Sequence, residues 1–243
     1  MKAFLTALSM FTIISVPQTE WDENGGSNAL ALFGLAGAII GAIYAGVYAL
    51  LGLFGINPLI IAPIIAFLPS ILSGFLHLDG FMDVSDAVLS HRSREERLKI
   101  LKDAHCGSFA VVMLVILSSV LLFASCSVVK ENVSPIAIAM IPIVSRSAAA
   151  IALLSLPPLE GSSLGTYFTK NKKPRHTVIS ALILAVSMIL AAVFGGVGCA
   201  VAGFIVYSLS LLSVYHSLRG INGDVTGFLV CVTEAAMLAG CVL

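Results

Sequence analysis

The sequence predicts an all-α fold: a polytopic bundle of about seven membrane-spanning helices, with short amphipathic helices at the cytoplasmic surface. Three observations predict it. Of the 243 residues, 58% are hydrophobic and only 11% are charged, whereas about 25% of the residues in a soluble domain carry a charge. Apolar runs of about 20 residues, the length that crosses a bilayer as a helix, recur along the chain. Lysine and arginine gather between some of these runs and are nearly missing between others.

The apolar runs cover most of the chain, so we expect one domain over residues 1–243 without an internal repeat. The first run, 3–16, is short for a crossing, and its sequence leaves open whether it spans the bilayer or lies in the interface. The longer runs are Asn28–Leu53, Asn57–Leu76, Phe109–Val129, Ser134–Leu156, Thr177–Gly198, Cys199–Leu218 and Val225–Leu243. Only glycines separate the fifth of these from the sixth, which predicts a helical hairpin there.

Positively charged residues are concentrated in two connections. Residues 77–108 include five of them and residues 157–176 include four. Two spans separate these connections, so both lie on one side of the membrane, and the positive-inside rule identifies that side as cytoplasmic. The polar clusters at Glu20–Asn24 and Arg219–Asp224 are expected on the same side. We therefore expect the functional site to face the cytoplasm.

Charge and cysteine content exclude other classes of protein. The formal net charge is zero, so the basic surface expected of a nucleic-acid-binding protein is missing, and we expect no nucleic-acid partner. The five cysteines form no CxxC pair and four lie in apolar runs. Disulfides and a thiolate zinc site are therefore not expected.

The connection at about 77–108 is the main candidate for a catalytic segment. It contains Asp79, Asp83 and Asp86, and a helix would place residues at this i, i+4, i+7 spacing on one face. Like charges so arranged repel one another, so we expect a cation between them. An all-carboxylate ligand set suits Mg²⁺ or Mn²⁺. The alternative is a solvated acidic helix face.

The second half of this connection, "SREERLKILKDAHCGSFA", predicts an amphipathic helix at the membrane surface. Its residues Leu98, Ile100 and Leu101 would face the lipid while the charged residues reach water. At the end of the helix, Lys102 would suit a phosphate and Asp103 a metal ion. The alternative is a membrane-surface strap that carries no site.

Other polar residues are candidates because of their surroundings. Arg146 lies inside an apolar run, where an unpaired arginine costs several kcal/mol, so it is either functional or a snorkelling structural residue. Glu234 is similarly placed in the last run. His77 suits a metal ligand, a base or a membrane-boundary residue. The turns Glu160–Gly165 and Leu218–Gly227 would bring backbone amides near phosphate oxygens, although glycine turns between helices are common.

The motif "LHLDGFMDVSDA", followed by "LKDAHCGSFA", resembles the cobalamin synthase family, the adenosylcobinamide-GDP ribazoletransferases, whose pattern is close to LHLDGLADTADG and MKDSRIGTFG. The similarity continues through "FLTALSMFTIISVP", "SRSAAAIALLSLPP", "EGSSLG" and "GINGDVTG". All the motif aspartates are present. The departures from the family pattern are Ile14, Phe81, Met82, Ala87, Ala104, His105 and Cys106.

This resemblance implies an inner-membrane transferase of prokaryotes. Adenosylcobinamide-GDP would react with α-ribazole, or its 5′-phosphate, to give GMP and adenosylcobalamin, or its phosphate, with Mg²⁺ as cofactor. The metal ligands would be Asp79, Asp83, Asp86 and Asp103. The catalytic residues would be Asp83, His77 and Lys102. Contacts to substrate or phosphate would come from Arg146, Arg219, Asp224, Glu160 and His105.

Two other functions stay open. In a secondary transporter, Arg146 and Glu234 would line a pathway, although acids gathered in one connection suit surface chemistry better. A CDP-alcohol phosphotransferase would also use aspartate-bound metal in a membrane, although its motif spacing differs from the one found here.

Overall fold

The computed structural model describes residues 1–17 and 25–243, and the regular elements within these ranges are α-helices. Within these ranges the only β-type pairing is an isolated bridge between Pro158 and Ile221, so the predicted all-α class is confirmed. The predicted polar cluster Glu20–Asn24 lies outside the described residues. The helices are α1 (Lys2–Phe11), α2 (Gly25–Ala31), α3 (Phe33–Leu53), α4 (Pro58–Leu72), α5 (Leu76–Leu89), α6 (Arg94–Ile100), α7 (Ser108–Lys130), α8 (Pro135–Ser155), α9 (Ser163–Thr169), α10 (Pro174–Leu218) and α11 (Gly223–Gly240).

Several of these helices are long and apolar enough to cross a membrane. Among the described residues there are five, namely α3, α7, α8, α10 and α11, or six if the bent pair α4–α5 counts as one span. A polytopic helical membrane protein is therefore confirmed, and α7 and α8 lie within one residue of their predicted bounds. The count of seven stays a prediction.

Helix α10 is 45 residues long but does not run straight. Gly196, near its middle, has a φ of 82° and a ψ of 156°, a backbone conformation that favours glycine. In a straight helix Leu184 and Tyr207 would lie ~35 Å apart, yet both line one cavity of about 160 Å³. The two halves of α10 therefore lie side by side, which agrees with the hairpin predicted from the glycines.

A sharp bend separates α4 from α5. The axes of the two helices differ by 92°, and the bend follows Ser73, the last residue of the turn that closes α4. Gly74 and Phe75 both adopt left-handed φ angles, of 60° and 59°, which no α-helix can continue through. As a result, α5 leaves the direction of the apolar run that precedes it. The residues predicted as a catalytic connection thus begin with a helix of 14 residues.

Helix α6 is shorter than the predicted amphipathic helix and packs differently. It begins at a capping box in which the Ser93 and Glu96 side chains satisfy each other's backbone amides. Leu101, just after the helix, is 7% exposed and belongs to the protein core, and Leu98 and Ile100 pack against that core. The expectation that these residues face lipid was wrong, because the protein itself covers them.

Helix α8 lies at the centre of the bundle. It packs against α3, α10 and α11, and most of its residues are buried. Close packing with α3 depends on glycines, since a Cβ at Gly34 or Gly37 would collide with Ser147 or with the Pro142 carbonyl. The polar residues of α8 therefore lie in the protein interior rather than at the lipid surface.

Candidate active site

Two helices converge to form an acidic cluster, which we define as Asp79, Asp83 and Asp86 of α5 together with Asp224 of α11. The helices approach so closely because their contact residues lack side chains. A Cβ at Gly80 would lie 2.7 Å from the Cα and carbonyl oxygen of Asp224. Helix α11 presents Gly227 to α5 in the same way, because a Cβ at this position would lie 2.9 Å from the His77 carbonyl oxygen.

The carboxylates of the acidic cluster repel one another. Asp83 experiences the charges of Asp79, Asp224 and Asp86, and Asp224 experiences that of Asp79. Among the described residues, no lysine, arginine or histidine forms an ion pair with any of the four. The Asn222 amide, which also caps α11, donates to Asp224 over 2.7 Å. The cluster therefore concentrates negative charge that no basic side chain among residues 1–17 and 25–243 pairs with.

The Asp86 carboxylate also contacts the start of α7. Gly107, the N-cap of α7, lies so close to this carboxylate that a Cβ at position 107 would overlap it. The N-terminus of a helix carries partial positive charge, which stabilises a nearby carboxylate. Helices α5, α7 and α11 thus all meet at the acidic cluster.

The donor chemistry of the cluster suits Mg²⁺ or Mn²⁺, which prefer oxygen ligands. Within residues 1–17 and 25–243, however, no three acidic, histidine or cysteine side chains are already arranged as a metal cage. Mg²⁺ commonly takes only one or two carboxylates and completes its coordination with water and substrate phosphates. The cluster therefore fits a metal that binds together with a diphosphate.

The predicted ligand Asp103 bonds within its own turn, just after α6. Its Oδ1 accepts hydrogen bonds from the His105 backbone N–H, at 3.0 Å, and contacts the His105 Nδ1 at 2.7 Å. These hydrogen bonds hold the pKa of Asp103 below its usual value. Both residues are exposed in the turn after α6, so the structure pairs them with each other.

Two polar turns lie side by side close to α6. Leu159 donates its backbone N–H to the Ile221 carbonyl over 2.9 Å, and Ile221 donates to the Pro157 carbonyl over 3.0 Å. These bonds join the turn at 157–161 to the turn at 218–222. The two glycine-flanked turns singled out in the sequence are therefore neighbours, although some 60 residues separate them.

Basic side chains surround the joined turns. Arg94 donates from Nε to the Leu218 carbonyl over 2.9 Å and lies 3.7 Å from the exposed Glu160 carboxylate. The Nζ of Lys102 lies 2.9 Å from the position that a Cβ on Gly161 would occupy. Arg219, exposed, ends α10 in a left-handed conformation. Arg94 was not predicted as a site residue, because its sequence position indicated only a solvated helix face.

Arg146 lies in the interior, 1% exposed. Its Nη1 pairs with Glu234 and its Nη2 donates to the Ser73 hydroxyl over 2.8 Å. Both terminal nitrogens thus have internal partners, while Nε is buried and has no hydrogen-bond partner among the described residues. The burial of Arg146 therefore gives the predicted phosphate contact no support. Arg146 and Glu234 neutralise each other's charge, which does not favour the alternative in which both line a transport pathway.

His77 is buried as well, 6% exposed. The edge of its ring faces Phe33 at 5.6 Å, and its Nε2 has no hydrogen-bond partner among the described residues. Its backbone contacts Gly227, as described above. The structure therefore places the His77 ring in the protein interior, against Phe33.

The fold is that of a polytopic helical membrane protein, and the acidic cluster is its candidate catalytic site, where α5, α7 and α11 meet. The model of the cobalamin-5-phosphate synthase family matches residues 3–242. The chain belongs to this family, which confirms the resemblance seen in the motifs.

Relatives similar to this chain carry one name. An adenosylcobinamide-GDP ribazoletransferase of Clostridium botulinum (strain Alaska E43 / Type E3) is 37% identical over 96% of this chain and 94% of its own length. The protein of that name from Clostridium perfringens (strain 13 / Type A) is 36% identical over 96% and 94%. The one from Geobacillus thermodenitrificans (strain NG80-2) is 35% identical over 94% and 90%. No solved structure matches the chain.

Proposed function

We propose that this protein is a membrane phosphotransferase that joins adenosylcobinamide-GDP to α-ribazole or α-ribazole 5′-phosphate. A ribazole hydroxyl oxygen forms a bond to the phosphorus attached to cobinamide, and the bond from that phosphorus to the bridging oxygen of GMP breaks. The products are GMP and adenosylcobalamin or its phosphate. The names of the relatives support this reaction, and the acidic cluster supports the chemistry.

The convergence of Asp79, Asp83 and Asp86 with Asp224 is the observation that carries the proposal. Phosphoryl transfer requires positioning and charge neutralisation more than covalent participation by the protein. Mg²⁺, or Mn²⁺, held by carboxylates of this cluster would neutralise the diphosphate and the leaving GMP. Such an ion would supply the positive charge that no described basic side chain provides to these carboxylates.

Asp83 is the carboxylate best placed to accept the proton of the attacking hydroxyl. It lies in the middle of the acidic face of α5 and is partly exposed, whereas the other predicted base, His77, is buried. A general base must come within hydrogen-bonding distance of the proton it removes. We therefore assign the proton transfer to Asp83 and a packing role to His77.

The basic residues around the joined turns are proposed to bind phosphate groups. Lys102 and Arg219 present cations beside backbone amides of the turns at 157–161 and 218–222, and Arg94 reinforces the same surface. Arginine and lysine are the usual partners of phosphate oxygens. Glu160 lies at the edge of this surface, where it would reach a ribose hydroxyl.

The site is proposed to face the cytoplasm in the inner membrane. The acidic cluster lies close to the basic connections, since Asp224 follows the turn at 218–222, which Arg94 contacts, and Asp86 contacts Gly107 in the connection after α6. The positive-inside rule assigns such an end to the cytoplasm. GDP-activated and ribazole substrates would then reach the site from the cytoplasm.

A turnover assay tests the proposal. The protein in lipid nanodiscs is given adenosylcobinamide-GDP and α-ribazole, and GMP release is measured with Mg²⁺ and with EDTA. We expect turnover only with the metal, and we expect Asp83→Asn to abolish it while the control Glu131→Gln, an exposed acid after α7, leaves it unchanged. Release of CMP from CDP-diacylglycerol, or wild-type turnover by Asp83→Asn, would refute the proposal.

A further inference from the structure

A buried polar network ties together the elements that carry the acidic cluster. The Arg146 guanidinium of α8 pairs with Glu234 of α11 and donates to Ser73 at the end of α4. Glu234 accepts a further hydrogen bond from Ser145, at 3.1 Å. Arg146 therefore bonds to two elements at once, and neither of them is adjacent to α8 in sequence.

Ser73 occupies the point where the chain turns into α5. It closes α4, and the left-handed residues Gly74 and Phe75 follow it immediately. The direction of α5 depends on this bend as well as on its packing against α7 and α11. The hydrogen bond from Arg146 to Ser73 thus holds the base from which α5 starts.

The network lies at one end of a series of contacts between the α5 region and α11, which also includes the stacked rings of Phe81 and Phe228. Ser73 is linked to Glu234 through Arg146, the His77 backbone contacts Gly227, and Gly80 contacts Asp224. Position numbers rise along one element as they fall along the other, so the two run antiparallel. The two glycine contacts are steric and only limit how closely the helices approach. The Arg146 network adds hydrogen bonds of defined direction, to Ser73 and to Glu234.

We infer that the Arg146–Glu234–Ser73 network is a positioning device that sets the spacing of the Asp224 carboxylate from the carboxylates of α5. This inference rests on the proposed function, because it assigns the network to the site at which the metal and diphosphate would bind. A well-packed apolar pair often stabilises a fold as much as a buried ion pair does, whereas an ion pair can specify one arrangement. The guanidinium provides that specificity, because it reaches Glu234 and Ser73 with separate nitrogens.

Two variants separate positioning from stability. Arg146→Lys keeps the positive charge but has a single nitrogen, so it cannot bond to Glu234 and Ser73 in the same way. Ser73→Ala removes the hydroxyl that accepts from Arg146 at the bend and that donates to the Pro69 carbonyl over 2.9 Å. The matched control is Tyr207→Phe, which removes a partly buried hydrogen bond of 2.7 Å to the Ala148 carbonyl of α8 and lies outside α5.

The readout is Mn²⁺ binding at equilibrium, measured by electron paramagnetic resonance on the complete protein in nanodiscs without substrate. Loss of a group that orients metal ligands typically weakens metal binding about 10- to 100-fold. We expect about 10-fold weaker Mn²⁺ binding in Ser73→Ala and in Arg146→Lys, and wild-type binding in Tyr207→Phe. Thermal unfolding of each variant verifies that the measurement is made on folded protein.

The possible results discriminate between the inference and the function on which it rests. If the wild-type protein binds Mn²⁺ and folded Ser73→Ala binds it equally well, the positioning role is refuted while the proposed function stands. If Tyr207→Phe weakens binding as much as Ser73→Ala does, the effect is general loosening and the inference is again refuted. If the wild-type protein does not bind Mn²⁺, the metal role of the acidic cluster fails, and the inference fails with it.

Discussion

Substituting Gly80 by alanine adds one methyl group at the closest approach of α5 to α11. The new Cβ would lie 2.7 Å from the Cα and the carbonyl oxygen of Asp224, whereas ordinary contact begins at 3.4 Å. The obstructing atoms belong to the backbone and cannot rotate away. The two helices must therefore move apart by the difference, about 0.7 Å, and Asp224 moves away from Asp79 and Asp83.

Both stability and catalysis respond to this shift. Overpacking of this kind costs about 1–3 kcal/mol, of which the better helix propensity of alanine returns up to about 1 kcal/mol. The loss of activity should be larger, since a misplacement of about 1 Å among reacting groups lowers the rate by as much as 100-fold. We expect kcat for GMP release to fall about 10- to 100-fold, with folding largely preserved.

The assay compares Gly80→Ala with Gly46→Ala in nanodiscs, using adenosylcobinamide-GDP and α-ribazole. Gly46 lies in α3 and has no atom within 4 Å of the position that its Cβ would occupy, so its substitution should leave kcat unchanged. A normal kcat in folded Gly80→Ala would show that the spacing of Asp224 from α5 does not matter for turnover. An equal loss in both variants would point to helix substitution in general rather than to the crossing of α5 and α11.

Three more predictions follow from individual contacts. Glu234→Gln leaves Arg146 buried without its counter-ion, so we expect a loss of about 3–5 kcal/mol in unfolding free energy, measured by denaturation in detergent; an unchanged midpoint would contradict the ion pair. Lys102→Ala removes the proposed charged contact to phosphate, which is worth about 1.5–3 kcal/mol. KM for adenosylcobinamide-GDP should therefore rise at least 10-fold, whereas Lys130→Ala, at an exposed position, should not alter it. Asp103 has a lowered pKa because of its bonds to His105, so the turn after α6 should be held together above that pKa and loosen as acid protonates the carboxylate. The protection factor of the His105 amide, which corrects for the intrinsic pH dependence of exchange, should therefore fall on acidification, and Asp103→Asn should abolish this acid-dependent change.

Much of the fold could be predicted because it depends on local sequence. Continuous apolar runs give helices of bilayer-spanning length, and α7 and α8 begin and end within one residue of the predicted bounds. Gly196 indicated the hairpin of α10, since only glycine readily adopts its backbone angles. The bend between α4 and α5 was not predicted, because the run from Asn57 to Leu76 has no break in its hydrophobicity.

The candidate site could be predicted only in part. The spacing of Asp79, Asp83 and Asp86 is a local pattern, and the structure places all three on α5. Asp103 looked equally suitable, but its orientation follows from a hydrogen bond to His105 two residues away. For Arg146, hydrophobic surroundings indicated importance without distinguishing a phosphate contact from the buried partner that the structure provides.

The sequence by itself determined which segments are helical, that they belong in a membrane, and that α5 carries an acidic face. Each of these depends on residues within a few turns of one another, and local hydrophobicity and spacing encode them directly. Only the tertiary structure decided that Asp224 joins that face, that Arg94 and Lys102 border the turn at 157–161, and that Arg146 is linked to Glu234. These arrangements depend on where glycines allow helices to cross, and such crossings bring together residues that lie far apart in the chain.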